Sequence, residues 1–224
     1  MKKLSHLLFA GTFALLTACG DGSNDDASVR FVHLSPDAPN VDILLDGSVV
    51  LSDVAYPTAS SYLDTEPTLT EVKVNAAGTS TSVIDADVTF EEDVSYTVIA
   101  ANKLAAIEPI VLTDERGATP GGQVSLRVVH GAPSAPNVDV YVTAPDASLD
   151  SATPVLSNVP FKAASGYLVI DEGTYQVRVT VAGTKTVAID TGAVELDGGT
   201  RLTAIARDNV GGGAPFSLLL LDDR

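Results

Sequence analysis

The residues of this chain with the clearest potential for chemistry are two histidines, each followed by two prolines and an aspartate. The spacing His-x-x-Pro-x-Ala-Pro-x-Val-Asp occurs twice, as His33, Pro36, Pro39 and Asp42, and again as His130, Pro133, Pro136 and Asp139. Imidazole and carboxylate groups bind metal ions and transfer protons. The histidine and the aspartate of each copy are therefore candidates for a ligand or metal contact.

One histidine per copy is too few for zinc, which takes about three or four protein ligands. The paired prolines instead restrict the backbone and favour a rigid link between two strands. We therefore predict that the segment is architectural. In this interpretation the histidine packs at the rim of the core and bonds a backbone group, and the aspartate caps a turn or pairs with an arginine. Arg30 and Arg127 are expected on the opposite faces of the strands that carry the histidines.

Acidic residues offer a second kind of site, because calcium takes about six to eight oxygen ligands. The chain has 29 Asp and Glu against 13 Lys and Arg, and its densest acidic pairs are Asp85 with Asp87 and Asp222 with Asp223. An Asp-x-Asp-x-Asp-Gly loop is absent from the sequence, so we predict no metal and no other cofactor. The net charge of −16 repels phosphate backbones and excludes nucleic acid as a partner.

Catalysis is not indicated by the sequence. The motif histidines occupy equivalent positions of separate copies, and no Gly-x-Ser-x-Gly sequence supplies a nucleophile. The glycines Gly211 to Gly213 lack the lysine and the following helix of a phosphate loop. We predict that the chain is not an enzyme and has no catalytic residues.

The N-terminal segment predicts export. Lys2 and Lys3 precede an apolar run from Leu7 to Leu16, and the segment ends Leu-Thr-Ala-Cys at Cys19, the only cysteine. This ending resembles the lipobox of bacterial lipoproteins, whose cysteine is diacylated on sulfur and becomes the new N-terminus. The resemblance implies a signal peptide over residues 1–18 and a lipid anchor on Cys19 that attaches the chain to a membrane. Glycine at position 20, where an inner-membrane lipoprotein tends to have aspartate, implies the outer membrane if the host has two.

An internal repeat runs through the rest of the chain. Residues 29–33 (VRFVH) correspond to residues 126–130 (LRVVH), and residues 59–63 (ASSYL) correspond to residues 164–168 (ASGYL). The spacing between equivalent residues grows from 97 to 105. The second copy is therefore expected to carry an insertion, around Pro145 to Pro154.

Each copy is typical of an all-β fold. Residues 174–181 (TYQVRVTV) alternate apolar and polar side chains, as in a strand with one buried face. Turn signals such as Asp46-Gly47 and Ala77-Gly78 separate the apolar runs, which allows about seven or eight strands per copy. We predict two tandem immunoglobulin-like β-sandwiches after the signal peptide. The expected boundaries are a tether at 19–28, sandwiches at 29–114 and 124–224, and a short linker at 115–123 that keeps the sandwiches in contact or at a restricted angle.

The repeated His-to-Asp segment resembles the hallmark of the bacterial family named domain of unknown function 4397. The resemblance covers nearly the whole exported chain and implies a β-sandwich module of exported and cell-surface proteins. It brings no activity, ligand or site residue with it.

Together these features predict a non-catalytic lipoprotein of the cell envelope that acts as a binding or adhesion module. The expected ligand is a glycan, peptidoglycan or another envelope protein. The alternative is a structural or scaffold protein that works through protein–protein contacts.

Overall fold

The computed structural model describes residues 26–223, so the signal peptide, Cys19 and most of the predicted tether lie outside the described residues. The described chain is built from β-strands, with one 3₁₀ turn at Leu104–Ala106 and no α-helix. No helix of this part of the chain is long and apolar enough to cross a membrane.

The first module, residues 26–114, has two facing sheets. Its strands are β1 (Ala27–His33), β2 (Val41–Leu45), β3 (Ser48–Val54), β4 (Thr58–Ala59), β5 (Leu63–Thr65), β6 (Leu69–Ala76), β7 (Ser82–Thr89), β8 (Ser95–Ala101) and β9 (Glu108–Asp114). In one sheet β1 pairs in parallel with β8, and β8 pairs with β9, while the short strands β4 and β5 pair with the other edge of β1. The other sheet has the order β3-β2-β6-β7.

The second module, residues 123–223, repeats this topology. Its strands are β10 (Gln123–His130), β11 (Val138–Thr143), β12 (Leu156–Val159), β13 (Leu168–Asp171), β14 (Gly173–Val181), β15 (Val187–Leu196), β16 (Arg201–Arg207) and β17 (Ser217–Asp222). They form two sheets, of the orders β13-β10-β16-β17 and β12-β11-β14-β15. The all-β fold of two β-sandwiches is therefore confirmed. The expected insertion lies in residues 144–155 between β11 and β12, where the first module has only the turn Asp46-Gly47.

The strands explain where each sandwich has its core. Along β1, Val29 and Phe31 point between the two sheets of the first module, with Val41 and Ile43 of β2 and Val98 of β8. The equivalent cluster of the second module includes Leu126, Val128, Val138, Val140 and Ala204. Alternate residues of a strand point to opposite faces. The intervening residues of β1, β8, β10 and β16 therefore point away from the core of their own sandwich, although most of them are buried.

Those intervening residues form the interface between the modules. Val32 and Ile99 of the first module pack against Val129, Ile205 and Leu221 of the second in one buried cluster. The sheet of β1 and the sheet of β10 thus pack face to face, and the molecule is a stack of four sheets. Strand β1 begins at Ala27, so the tether predicted to reach residue 28 ends two residues earlier.

Candidate functional site

The two motif histidines are fully buried and bonded to the backbone of their own segment. His33 Nε2 lies 3.1 Å from the carbonyl oxygen of Pro39, and His130 Nε2 lies 3.0 Å from that of Pro136. A carbonyl only accepts, so Nε2 carries the proton and donates it. Burial lowers the pKa of both imidazoles, which stay neutral in the fold.

The motif prolines shape the link between the first two strands of each module. Pro36 and Pro133 stand second in tight turns, closed by hydrogen bonds from Ala38 N to Ser35 O at 3.4 Å and from Ala135 N to Ala132 O at 3.2 Å. Proline favours this place because its φ is already close to the required value. Pro39 and Pro136 provide the carbonyls that the histidines bond.

The motif aspartates cap two turns each. Asp42 accepts hydrogen bonds from the backbone N–H groups of Asp53 and Gly78, both at 2.8 Å, and these bonds lower its pKa. Asp139 accepts from Asn158 N at 2.7 Å and Gly183 N at 2.8 Å. Over residues 26–223 neither aspartate pairs with an arginine, which was the alternative. These are the contacts expected of an architectural segment.

In each acidic pair weighed as a calcium candidate, one aspartate lies beside a cationic side chain. Asp85 lies 3.6 Å from Lys73 Nζ, and Asp223 lies 2.5 Å from a guanidinium nitrogen of Arg30. Within residues 26–223, no three His, Cys, Asp or Glu side chains are grouped so that they could hold a metal ion. Asp223 is therefore a counter-ion of the module interface.

A buried ionic network crosses the interface with near two-fold symmetry. Arg30 of the first module pairs with Asp223 of the second, and Arg127 of the second pairs with Asp114 of the first. All four side chains are at most 4% exposed. The arginines that the sequence placed opposite the histidines thus point into the partner module.

Further contacts repeat across the same axis. Thr97 and Tyr62 donate to Asp114 at 2.6 and 2.7 Å. Tyr167 donates to Asp223 at 2.8 Å, and the hydroxyl of Thr203 donates to the same carboxylate. The guanidinium of Arg30 stacks on Tyr62 at 4.7 Å and that of Arg127 on Tyr167 at 4.8 Å. Burial raises the pKa of both phenols, which stay protonated. Each charge is compensated inside the protein, so removing one of them would leave its partner buried without a counter-ion.

One position of the interface departs from the symmetry. Leu34 follows the first motif histidine, whereas Gly131 follows the second. A Cβ on Gly131 would lie 2.3 Å from Leu34 Cδ2 and 2.9 Å from Ile205 Cγ2. The leucine of the first module thus occupies the space that a side chain at position 131 would need.

A large apolar cavity lies between the two sheets of the second module. Its volume is about 460 Å³, within the range of small-molecule sites. Eleven aliphatic side chains line it, with two threonines, one glutamate and one aspartate: Leu126, Val128, Val140, Val177, Val179, Val194, Leu196, Leu202, Ala204, Leu218, Leu220, Thr191, Thr200, Glu195 and Asp197.

The first module has only about 10 Å³ of free volume in the corresponding place. Strand pairing shows the reason, because three aromatic side chains of the first module have aliphatic equivalents in the second. Phe31, Phe90 and Tyr96 are fully or largely buried, and the rings of Phe90 and Tyr96 meet edge to face at 5.1 Å. Their equivalents in the second module are Val128, Leu196 and Leu202. Tyr96 pairs with Val29 in the first module, and Leu202 pairs with Leu126 at the same place in the second. Phe90 N donates to Thr68 O, and Leu196 pairs with Gly173 at the corresponding position.

A β-bulge shapes one wall of the cavity. Arg178 pairs with Asp190 and Gln176 pairs with Ala193, so Thr191 and Gly192 of β15 together face Val177 of β14. Gly192 has φ +61°, a value that glycine adopts without strain. The first module has no such irregularity over the equivalent pairs from Leu69 to Val74. Bulges bend a strand and are common beside binding sites.

The cavity opens along the edge strands β15 and β17. Leu220 of β17 lines the cavity but is 57% exposed, and Glu195 of β15 and Asp197 just after it are also exposed. We call the three residues Glu195, Asp197 and Thr200 the rim of the cavity. The mouth is therefore acidic and the interior is apolar.

The sequence pattern did not lead us to predict the cavity, although a comparison of the two copies contains a signal for it. Aligning the copies at Arg30 and Arg127 sets Phe31 against Val128, a loss of core volume in the second copy. The motif that drew attention, by contrast, maintains the turns of both modules.

Comparison with protein families identifies the family of this chain. A search of curated proteins finds none that matches this chain. The family profile described as "Domain of unknown function (DUF4397)" matches residues 27–141 and 143–224, nearly all of the part that the structure describes. The chain therefore belongs to the family of domain of unknown function 4397, in two tandem matches.

Proposed function

We propose that this protein is a non-catalytic, lipid-anchored protein of the cell envelope whose second sandwich binds an apolar ligand. The cavity of about 460 Å³ in that sandwich is the observation that carries the proposal. The first sandwich, filled by aromatic side chains, serves as the platform that the second one packs against.

The apolar lining of the cavity supports a ligand. Because the cavity opens between β15 and β17, water can enter it and meets eleven aliphatic side chains there. Aliphatic walls give water few hydrogen-bond partners, and an apolar ligand is the better occupant.

The lipid anchor on Cys19 and the outer-membrane location remain proposals of the same kind, because both concern residues before the described part of the chain. An anchored protein would hold its cavity beside a membrane. The structural or scaffold alternative places the function on outer surfaces and assigns no role to the cavity.

Filling the cavity tests the proposal. Val128→Phe and Leu196→Phe restore the aromatic residues of the first module, and Val169→Phe, at a site that is 58% exposed, is the matched control. The assay is fluorescence titration with the neutral probe N-phenyl-1-naphthylamine, on chains carrying Cys19→Ser so that no detergent is needed.

The expected result is that the parent and the control bind the probe and the two filled variants do not. The filled variants should also gain about 1 to 2 kcal/mol of stability, because the new ring replaces empty space. If the cavity were absent, the same rings would overpack the core and lower stability by about 1 to 3 kcal/mol. A parent chain that fails to bind the probe would overturn the proposal.

A further inference from the structure

The lining and the rim of the cavity also restrict its ligand. We propose that the site takes a single-chain amphiphile with an aliphatic body and a cationic head group, such as an alkylamine. This inference rests on the proposed function and adds the ligand's class to it.

The interior favours an aliphatic chain. Its apolar side chains are Val, Leu and Ala, and no aromatic residue of the described chain lines it, so dispersion contacts with methylene groups supply the binding energy. Among side chains, the walls offer polar groups only at Thr191 and at the rim. Thr191 Oγ1 already accepts from Val177 N at 3.0 Å and donates to Gly192 O at 2.8 Å. A ligand body with internal polar atoms would therefore lose its hydrogen bonds on entry.

The rim favours a cation. Glu195 and Asp197 are the two acidic residues among those that line the cavity, both are exposed, and neither side chain forms a hydrogen bond or an ion pair within residues 26–223. The hydroxyl of Thr200 is engaged, since it donates to the backbone oxygen of Asp197 at 2.7 Å. The carboxylates are thus the rim groups left to meet a head group.

Within the described residues, no basic side chain pairs with these carboxylates, and no Lys, Arg or His lines the cavity. Arg201 follows the rim residue Thr200 directly, but its guanidinium donates to the carbonyl oxygens of Glu115 and Gly117, at 2.9 and 2.8 Å, in the connection between the modules. An anionic head group would meet two like charges at the mouth, whereas an ammonium group would meet two opposite ones.

The experiment is displacement of N-phenyl-1-naphthylamine from the Cys19→Ser chain at low salt by dodecylamine, dodecanol and dodecanoate. The three ligands share one chain length, so differences report on the head group. We expect dodecylamine to displace the probe at about one-tenth of the concentration that dodecanoate needs, with dodecanol between them. Raising the salt should narrow the difference, since the rim is exposed.

A rim variant separates charge from shape. Glu195→Gln with Asp197→Asn should bring dodecylamine and dodecanoate to within about threefold of each other and leave dodecanol unchanged. Val128→Phe should abolish displacement by all three. Dodecanoate displacing as well as dodecylamine from the parent chain would overturn this inference while the proposed function stands. Absence of any probe binding to the parent would overturn both.

Discussion

Removal of one carboxylate from the module interface should destabilise the whole molecule. Asp114 is 2% exposed and accepts from Arg127, Thr97 and Tyr62. Asp114→Asn keeps the shape of the side chain and removes its charge. Among residues 26–223, the only other carboxylate within 4 Å of the Arg127 guanidinium is that of Asp223, at 3.6 Å, and Asp223 is already bonded to Arg30.

The size of the effect follows from burial. Breaking one partner of a buried ion pair costs about 3 to 5 kcal/mol, because the other charge stays in the interior uncompensated. For a chain of this size each kcal/mol lowers the midpoint of thermal unfolding by about 2 to 4 °C, so the loss should be about 6 to 20 °C. The measurement is urea unfolding followed by circular dichroism, with calorimetry for the midpoint.

The two-fold symmetry of the network gives an internal check. Asp223→Asn should cost about the same as Asp114→Asn, and the double variant should depart from additivity by more than about 0.5 kcal/mol, since all four charges share one network. Asp87→Asn, at an exposed position of β7, is the control and should change stability by less than about 0.5 kcal/mol. An Asp114→Asn chain as stable as this control would refute the reasoning.

Three further outcomes are expected. Burial lowers the pKa of His33 and His130 below the usual 6.5, so the unfolded chain binds protons that the fold does not, and the urea midpoint should fall as pH drops below about 6.5. Replacing both histidines with glutamine should reduce that slope; an unchanged slope would contradict the assignment. Gly131→Ala should cost about 1 to 3 kcal/mol through its clash with Leu34, and combined with Leu34→Ala it should cost less than the sum of the two single changes; additive costs would argue against the clash. Asp139→Ala loses bonds to two backbone donors and should lower unfolding stability by about 1 to 3 kcal/mol, whereas no loss would rule out a capping role.

The sequence was sufficient for features that depend on local pattern. Alternation along residues 174–181 predicts β14, and the spacing of His33 to Asp42 correctly indicates a backbone bond for the histidine and turn capping for the aspartate. Alternation along β1 also correctly places Arg30 and His33 on opposite faces of that strand. Each of these depends on residues close together in the chain.

Features formed by distant residues could not be read in the same way. The partner of Arg30 is Asp223, 193 residues away, and only the packing of the two modules brings them together. The cavity depends on replacements on three different strands and on a bulge at Thr191, whose register is visible only in the folded sheet. Pattern along one strand carries no information on volume shared between two sheets.

The asymmetric pair of Leu34 and Gly131 has a consequence for how the repeat can evolve. Both modules use the same sheet face to meet each other, so that face is consumed in the pair, and a third copy could not join through it. The space at the axis holds one leucine, and a second one there would clash. The two copies are therefore not interchangeable: two copies of the first would bring two leucines to the axis, and two copies of the second would leave the space of Leu34 unfilled. A pair held together in this way does not require the two cores to match, and the second module has aliphatic residues where the first has Phe31, Phe90 and Tyr96.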